Sequence, residues 1–115
     1  MNLFMKRVYE PASDSDGTRV LVDRIWPRGL SKDAVKCDLW LKDVAPSTGL
    51  RKWFGHDPEK WTAFQEKYRA ELKDNPALTE LQAIAAKGTT TLVFAAKDTA
   101  HCHALVLHDV LLQGK

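Results

Sequence analysis

The stretch TRVLVDRIWPRGL, residues 18–30, joins an almost continuous apolar run to a segment rich in charge. Apolar and β-branched side chains predict a strand over residues 18–26, and a run without alternation is typical of a strand covered on both faces. A proline and a glycine suit the turn that follows. A turn does not require Asp23, Arg24 or Arg28, so these side chains indicate a second role at this point of the chain.

Further strands and helices are predicted on both sides of this stretch. Apolar, β-favouring residues predict strands over residues 3–9 and 89–96, and the composition of residues 11–17 predicts a loop. Helical spacing and capping residues predict a helical turn at 47–55, helices over 31–44, 57–75 and 76–87, and a last helix with Asp98 or Thr99 as its N-cap.

These elements predict a single domain over residues 1–115, a small three-layer α/β/α domain with a short, mostly parallel sheet of three to four strands. The pairing of the first two strands is left open. Only about eight residues join them, whereas a parallel crossover usually needs about a dozen or more. Spacing alone therefore also allows an antiparallel hairpin.

The composition argues against several classes of function. The chain has 17 basic and 15 acidic residues, and its net charge of +2 is too small for bulk electrostatic binding to nucleic acid or membranes. No apolar run approaches the roughly 18 residues of a membrane span, and the N-terminal segment does not resemble a signal peptide. The cysteines, Cys37 and Cys102, lie in different predicted elements, so we expect a cytoplasmic protein with reduced thiols.

Polar side chains follow the second and third predicted strands where each strand ends. Ligands of open α/β sheets bind beyond the carboxyl ends of the strands, so these side chains would share one crevice if the two strands are parallel. Arg24, Arg28 and Lys97 would then hold phosphate or carboxylate groups, which suit the planar guanidinium. Arg51 and His56 would contact the substrate from the loop before a helix.

Four residues would carry the chemistry if the protein is an enzyme. Asp23 or Asp98 would act as a general base or orient a histidine, and His101 would be the acid–base residue. Cys102 would be the nucleophile, because a helix N-terminus and nearby cations favour the thiolate. The alternatives are structural: Asp23 forms an ion pair with an arginine of its loop, and Cys102 is a small buried residue.

The sequence His-Cys-His at residues 101–103 does not predict a metal site. Residues two positions apart on a helix point about 200° away from each other, whereas zinc-binding helices place ligands at i and i+4. His103 precedes Val106 and Leu107 by three and four positions, so we expect it at the edge of the core. The sequence predicts no metal and no cofactor.

Three segments of the chain resemble the YeaO-like proteins, a branch of a large family of unknown function. They read DRIWPRGLSKD from Asp23, DLWLKDVAPSTGLRKWFGHDPEKWTAFQEKYRAEL from Asp38 and LVFAAKDTAHCHALVL from Leu92. The resemblance extends from about Lys6 to Leu111. It implies that the first strands are parallel, and it supplies no established reaction.

The broader family typically has an acid and an arginine at the end of a strand and a Pro-Arg pair shortly after, which match Asp23, Arg24, Pro27 and Arg28. It also tends to have a Cys-His-Arg segment at the start of a late helix and a cysteine at the end of the late strand. This chain departs from both patterns, with Ala104 after Cys-His and with Ala95 and Ala96 at the strand end. A mechanism that needs that arginine or a cysteine pair is therefore not implied.

The leading hypothesis is a small cytosolic enzyme, or an enzyme-derived domain, that binds an anionic metabolite or nucleotide. The alternative is a non-catalytic binding or protein-interaction module whose polar cluster is structural. Nucleic acid binding is a weaker third hypothesis, because no basic stripe with interleaved aromatic residues is present. The leading hypothesis requires Asp23, Arg28, Lys97 and His101 to converge on one concave pocket.

Overall fold

The computed structural model describes residues 2–113, and a parallel sheet forms the centre of the fold. The strands are β1 (Leu3–Arg7), β2 (Thr18–Leu21), β3 (Leu39–Trp40) and β4 (Thr90–Phe94), in the spatial order β1-β4-β2-β3. Every neighbouring pair is parallel. The predicted α/β class is confirmed, and the pairing of β2 with β4 puts their carboxyl ends at one edge of the sheet.

Helices flank the sheet on both faces. They are α1 (Lys32–Val35), α2 (Thr48–Phe54), α3 (Trp61–Leu72), α4 (Pro76–Lys87) and α5 (His103–Leu112), with short 3-10 helices at Asp14–Asp16, Lys42–Val44 and Pro58–Lys60. The side chains of Ser31, Asp57 and Asn75 each accept a backbone hydrogen bond at a helix start, as is typical of N-cap residues. Within residues 2–113, no helix is long and apolar enough to cross a membrane.

The two faces of the sheet are covered unequally. Val20 and Leu21 are adjacent in β2 and both are fully buried, one in each of two separate apolar clusters, which confirms a strand covered on both faces. The larger cluster contains side chains from α2, α3, α4 and α5. The smaller cluster contains Val8, Leu21, Val35 and Val93, of which Val35 belongs to the short helix α1.

The strands β1 and β2 are not neighbours, because β4 lies between them and pairs with both. The short connection between β1 and β2 therefore forms neither a hairpin nor a crossover between adjacent strands. The connection approaches the start of β4, where the N–H of Thr18 donates to the carbonyl oxygen of Thr89 at 2.9 Å. Gly17 is required there, because its φ is +66° and a Cβ atom would lie 2.1 Å from the same carbonyl oxygen.

A buried ion-pair network adjoins the smaller cluster. The carboxylate of Asp16 accepts from Nη1 of Arg19 at 2.7 Å and from Nζ of Lys6 at 2.8 Å, and only 5% of Arg19 is exposed. The hydrogen bond from Lys6 is the main cause that lowers the pKa of Asp16 from 3.8 to about 2. Beside the smaller cluster, this face of the sheet is therefore covered by the ion pairs of Asp16 with Lys6 and Arg19 as well as by apolar side chains.

The prediction of a helix over residues 31–44 is wrong beyond residue 35, where α1 ends. It ends because Lys36 adopts a left-handed φ of 51° and the guanidinium of Arg19 binds the carbonyl oxygens of Val35 and Lys36 at 2.8 and 2.9 Å. The chain then joins the sheet as β3, and the N–H of Asp38 donates to the carbonyl oxygen of Arg19 at 2.8 Å.

The helix α5 begins later than predicted. The carboxylate of Asp98 accepts from the N–H of Ala100 at 3.0 Å and contacts Nδ1 of His101 at 2.9 Å, so it closes a turn before the helix. Cys102 occupies the N-cap position instead. The predicted strands also extend two to five residues too far, because the chain leaves the sheet at the ends of β1, β2 and β4.

Candidate functional site

A cavity of about 680 Å³ lies beyond the carboxyl ends of β1, β2 and β4. One wall consists of residues that follow these strands, at positions 9, 23, 25–28 and 95–98. The opposite wall consists of residues near the end of α2, Phe64 of α3 and residues 101–103 at the start of α5. The volume lies within the range of about 300–1,000 Å³ that is usual for small-molecule sites.

The structure brings the candidate residues together, with one exception. Those that line the cavity are Asp23, Arg28, Arg51, His56, Lys97, Asp98, His101 and Cys102. The parallel pairing of β2 with β4 is the cause, since it places the segments that follow the two strands at one edge of the sheet. The convergence that the leading hypothesis requires is therefore present.

Arg24 is the exception and does not line the cavity. Its Nε and Nη2 donate to the carbonyl oxygens of Pro46 and Ala45, both at 3.1 Å, and Asp43 lies 3.9 Å from Nη1. These contacts hold the loop before α2 against the end of β2. The structure thus gives Arg24 an anchoring position, where the sequence predicted a ligand-binding one.

Four cationic side chains line the cavity: Arg28, Arg51, Lys52 and Lys97. Among residues 2–113, no carboxylate forms an ion pair with any of these four. Arg28, Lys52 and Lys97 are exposed, and Arg51 is half-buried. The cationic groups are therefore available to a ligand.

The carboxylates of the cavity are engaged by other groups of the protein. Oδ2 of Asp23 accepts from the N–H of Ala95 at 2.9 Å. Its buried Oδ1 lies 3.2 Å from Nε2 of His103 but accepts no hydrogen bond among residues 2–113. The hydrogen bond to His101 is the main cause that lowers the pKa of Asp98. The cavity therefore contains two Asp–His pairs, and neither carboxylate neutralises one of the four cations.

His103 lies at the edge of the core, as predicted, with 14% of its side chain exposed. Its Nε2 lies 3.0 Å from the carbonyl oxygen of Val22. A carbonyl oxygen only accepts, so Nε2 is the donor in this contact. Among residues 2–113, no three His, Cys, Asp or Glu side chains are grouped so as to hold a metal ion.

Of the two readings that the sequence left open for Cys102, the structure favours the small buried residue over the nucleophile. Only 3% of the residue is exposed, and this burial raises the pKa of the thiol. The backbone N–H groups of Leu105 and Ala104 act in the opposite direction but have a smaller effect. The neutral thiol is therefore favoured over the thiolate, although Cys102 borders the cavity.

His56 reaches the cavity through an uncommon backbone conformation. Gly55 and His56 both have left-handed φ angles, of 53° and 57°. This conformation is uncommon for a residue other than glycine. The imidazole lies with its ring centre 6.4 Å from that of Phe54, so it extends the aromatic surface of this wall.

Among the cavity residues that sequence reasoning missed are Tyr9, Ile25 and Lys52. Tyr9 follows β1 as Asp23 follows β2, so it also lies beyond the carboxyl end of a strand. Lys52 adjoins Arg51, and two consecutive cations on a short helix were a usable signal. Ile25 gave no signal, because an apolar residue in this position is typical of a continuing strand.

Comparison with known proteins identifies the family. Residues 2–114 match the family model described as the inactive DUF488-N3 subclade. The chain belongs to this subclade. It is 47% identical to the uncharacterised protein YeaO of Escherichia coli K12 over 112 residues, which cover 96% of this chain and 97% of YeaO. It is also 47% identical over 105 residues to the uncharacterised protein Rv3073c of Mycobacterium tuberculosis H37Rv, over 91% of this chain and 89% of that protein. No solved structure is a significant match.

Three alanines mark where this member of the DUF488-N3 subclade departs from the pattern of the broader family. Ala104 replaces the arginine of the Cys-His-Arg segment, and it is fully buried in the larger core cluster. Ala95 and Ala96 stand where a cysteine is frequent, and both line the cavity. The cavity therefore lacks the second thiol that the pattern would supply at the end of β4.

Proposed function

We propose that the protein is a non-catalytic binding domain for a small anionic metabolite, which it holds at the carboxyl ends of its parallel strands. One observation carries this proposal. Four cationic side chains line a single concave cavity, and none of them has a carboxylate partner among residues 2–113. Concave sites with a few convergent polar groups are the usual places for small ligands.

The charges of the cavity favour an anion over a neutral ligand. Its four Arg and Lys side chains exceed its two Asp side chains, and both Asp side chains contact imidazoles. Cations that line one cavity repel each other, and an anion that binds among them relieves this repulsion. Phosphate and carboxylate are the preferred partners of arginine, because its planar fork matches their oxygens.

Three observations favour binding over catalysis. The subclade is described as inactive. Burial raises the pKa of the Cys102 thiol, which disfavours a nucleophilic thiolate. Ala104 stands where the broader family tends to have an arginine. The enzymatic form of the hypothesis then depends on His101, which Asp98 orients at a distance of 2.9 Å.

Thermal unfolding with added polyanions tests the proposal. Inorganic phosphate, pyrophosphate, citrate and nucleoside monophosphates are suitable probes. A ligand that binds only the folded state stabilises it by about 2.7 kcal/mol at a hundredfold excess over its Kd. We expect at least one probe to raise the Tm of the wild type by several degrees, and to raise that of Lys97→Ala and Arg28→Ala much less.

Lys87→Ala is the matched control, because Lys87 is an exposed lysine on α4 outside the cavity. It should respond to every probe as the wild type does. Equal Tm shifts in Lys97→Ala, Arg28→Ala and Lys87→Ala would place the anion elsewhere and overturn the proposal. A wild type that no probe stabilises would overturn it too, and would favour the protein-interaction module.

A further inference from the structure

We infer that the anionic ligand also carries a planar ring, which stacks on Trp26, so that the ligand is a nucleoside phosphate. This inference rests on the proposed function, because it adds a second contact to the same anion site. Trp26 lines the cavity together with Arg28 and Lys97. A ligand held by both kinds of group would have an anionic end and an aromatic end.

The indole of Trp26 is fixed from two sides. Its Nε1–H donates to the carbonyl oxygen of Leu30 at 2.7 Å. Its ring meets that of Trp40 edge to face, with 5.3 Å between ring centres and 69° between planes. Trp40 is fixed in turn, since its Nε1–H donates to the carbonyl oxygen of Asp23 at 2.7 Å. Because the only polar atom of Trp26 is already bonded, the side chain offers a ligand nothing but ring surface.

Two exposed side chains extend this surface. Ile25 is 60% exposed and Tyr9 is 50% exposed, and both line the cavity beside Trp26. A single exposed apolar residue needs no explanation. Two exposed side chains that border one cavity beside Trp26, next to cations without a carboxylate partner among residues 2–113, favour a ligand with an apolar face as well as a negative charge.

The opposite wall is also aromatic, which favours a flat ring over a flexible chain. Phe54 and Phe64 are stacked with 4.3 Å between ring centres and 23° between planes, and both line the cavity. A planar ring gains contact with aromatic surfaces without the loss of rotational freedom that an alkyl chain would undergo. Stacking of a base on an aromatic side chain strengthens binding by about fivefold or more.

Calorimetric titration with matched phosphates separates the ring from the anion. The probes are the four common nucleoside monophosphates, ribose 5-phosphate as an anion without a base, hexyl phosphate as an apolar anion without a ring, and the neutral nucleosides. We expect the best nucleoside monophosphate to bind the wild type at least about fivefold more tightly than ribose 5-phosphate or hexyl phosphate.

The variant Trp26→Leu should lose this advantage while its affinity for ribose 5-phosphate stays unchanged. Ile25→Ala should reduce the advantage, and it carries the test if Trp26→Leu does not fold, because Ile25 is exposed. Trp53→Leu is the matched control. Trp53 is 38% exposed on α2, outside the cavity, and Nζ of Lys60 and Nζ of Lys67 lie 5.2 and 5.1 Å from its ring centre.

Each other outcome overturns a defined part of the account. Equal affinity for the best nucleotide and ribose 5-phosphate would overturn the ring inference and leave the anion site intact. Hexyl phosphate that binds as tightly as the nucleotide would overturn the requirement for a planar ring. A nucleoside that binds as tightly as its monophosphate would overturn the anion site, and so would the absence of binding by every probe.

Discussion

Replacing Asp16 by Asn tests the ion-pair network beside the smaller apolar cluster. Hydrogen bonds from Lys6 and Arg19 hold the pKa of Asp16 at about 2 in the folded protein, against an ordinary value of 3.8. This difference corresponds to about 2 kcal/mol of stability at neutral pH. The variant also leaves the charge of Arg19 buried without its partner, so the total loss is expected to reach about 3–5 kcal/mol.

The loss should depend on pH. A carboxyl group whose pKa is lowered by folding stabilises the protein above its unfolded pKa, and the contribution disappears as the pH falls from 3.8 towards about 2. Urea unfolding followed by circular dichroism measures the effect at pH 7 and near pH 2. The difference between the wild type and Asp16→Asn should shrink by about 2 kcal/mol between the two conditions.

Asp14→Asn provides the control, because Asp14 is exposed in the same short helix and the charge change is identical. It should alter the free energy of unfolding by no more than about 0.5 kcal/mol. Similar losses for both variants at pH 7 would refute a specific role of the network. A large loss for Asp16→Asn that does not change with pH would refute the account of its pKa.

Three further predictions concern residues outside the proposed ligand contacts. Gly17→Ala should lower the free energy of unfolding by more than about 2 kcal/mol, whereas Gly49→Ala, which meets no atom within 4 Å, should raise it by about 0.5–1 kcal/mol; urea unfolding compares the two. Cys102 should react with iodoacetamide at pH 7 only after urea unfolds the protein, and mass spectrometry that finds rapid labelling of the native state would contradict its burial. Arg24→Ala should lower the free energy of unfolding by about 1–3 kcal/mol and leave the affinity for the anion unchanged, and a loss of affinity like that of Lys97→Ala would assign Arg24 to the site.

The sequence predicted the centre of the fold well, because local pattern decides it there. The apolar run at the end of β2 has Val20 on one face and Leu21 on the other, and both are fully buried. A strand of this kind must be covered on two faces, which leaves few arrangements other than a parallel sheet flanked by helices. The clustering of Asp23 with Lys97 follows from the parallel pairing alone.

The errors arise where distant residues decide the local structure. Helix α1 ends at Val35 because the guanidinium of Arg19, a residue of strand β2, binds the carbonyl oxygens at the end of this helix. Strand β3 contains only two residues, too few to produce a pattern that sequence reasoning can recognise. Arg24 lies outside the site because it donates hydrogen bonds to the carbonyl oxygens of Ala45 and Pro46. These contacts could not be predicted from the residues next to Arg24 in the sequence.

The most direct test of the central claim is to map the amide chemical shifts of the protein while the tightest-binding nucleoside monophosphate is added. We expect progressive changes at residues 25–28, 95–98 and 101–103 and at Arg51, Lys52 and His56, whose side chains line the cavity. We also expect these changes to weaken in Lys97→Ala and to persist in Lys87→Ala. Changes confined to other surfaces, or no change at any concentration, would contradict the proposal that this cavity binds an anion.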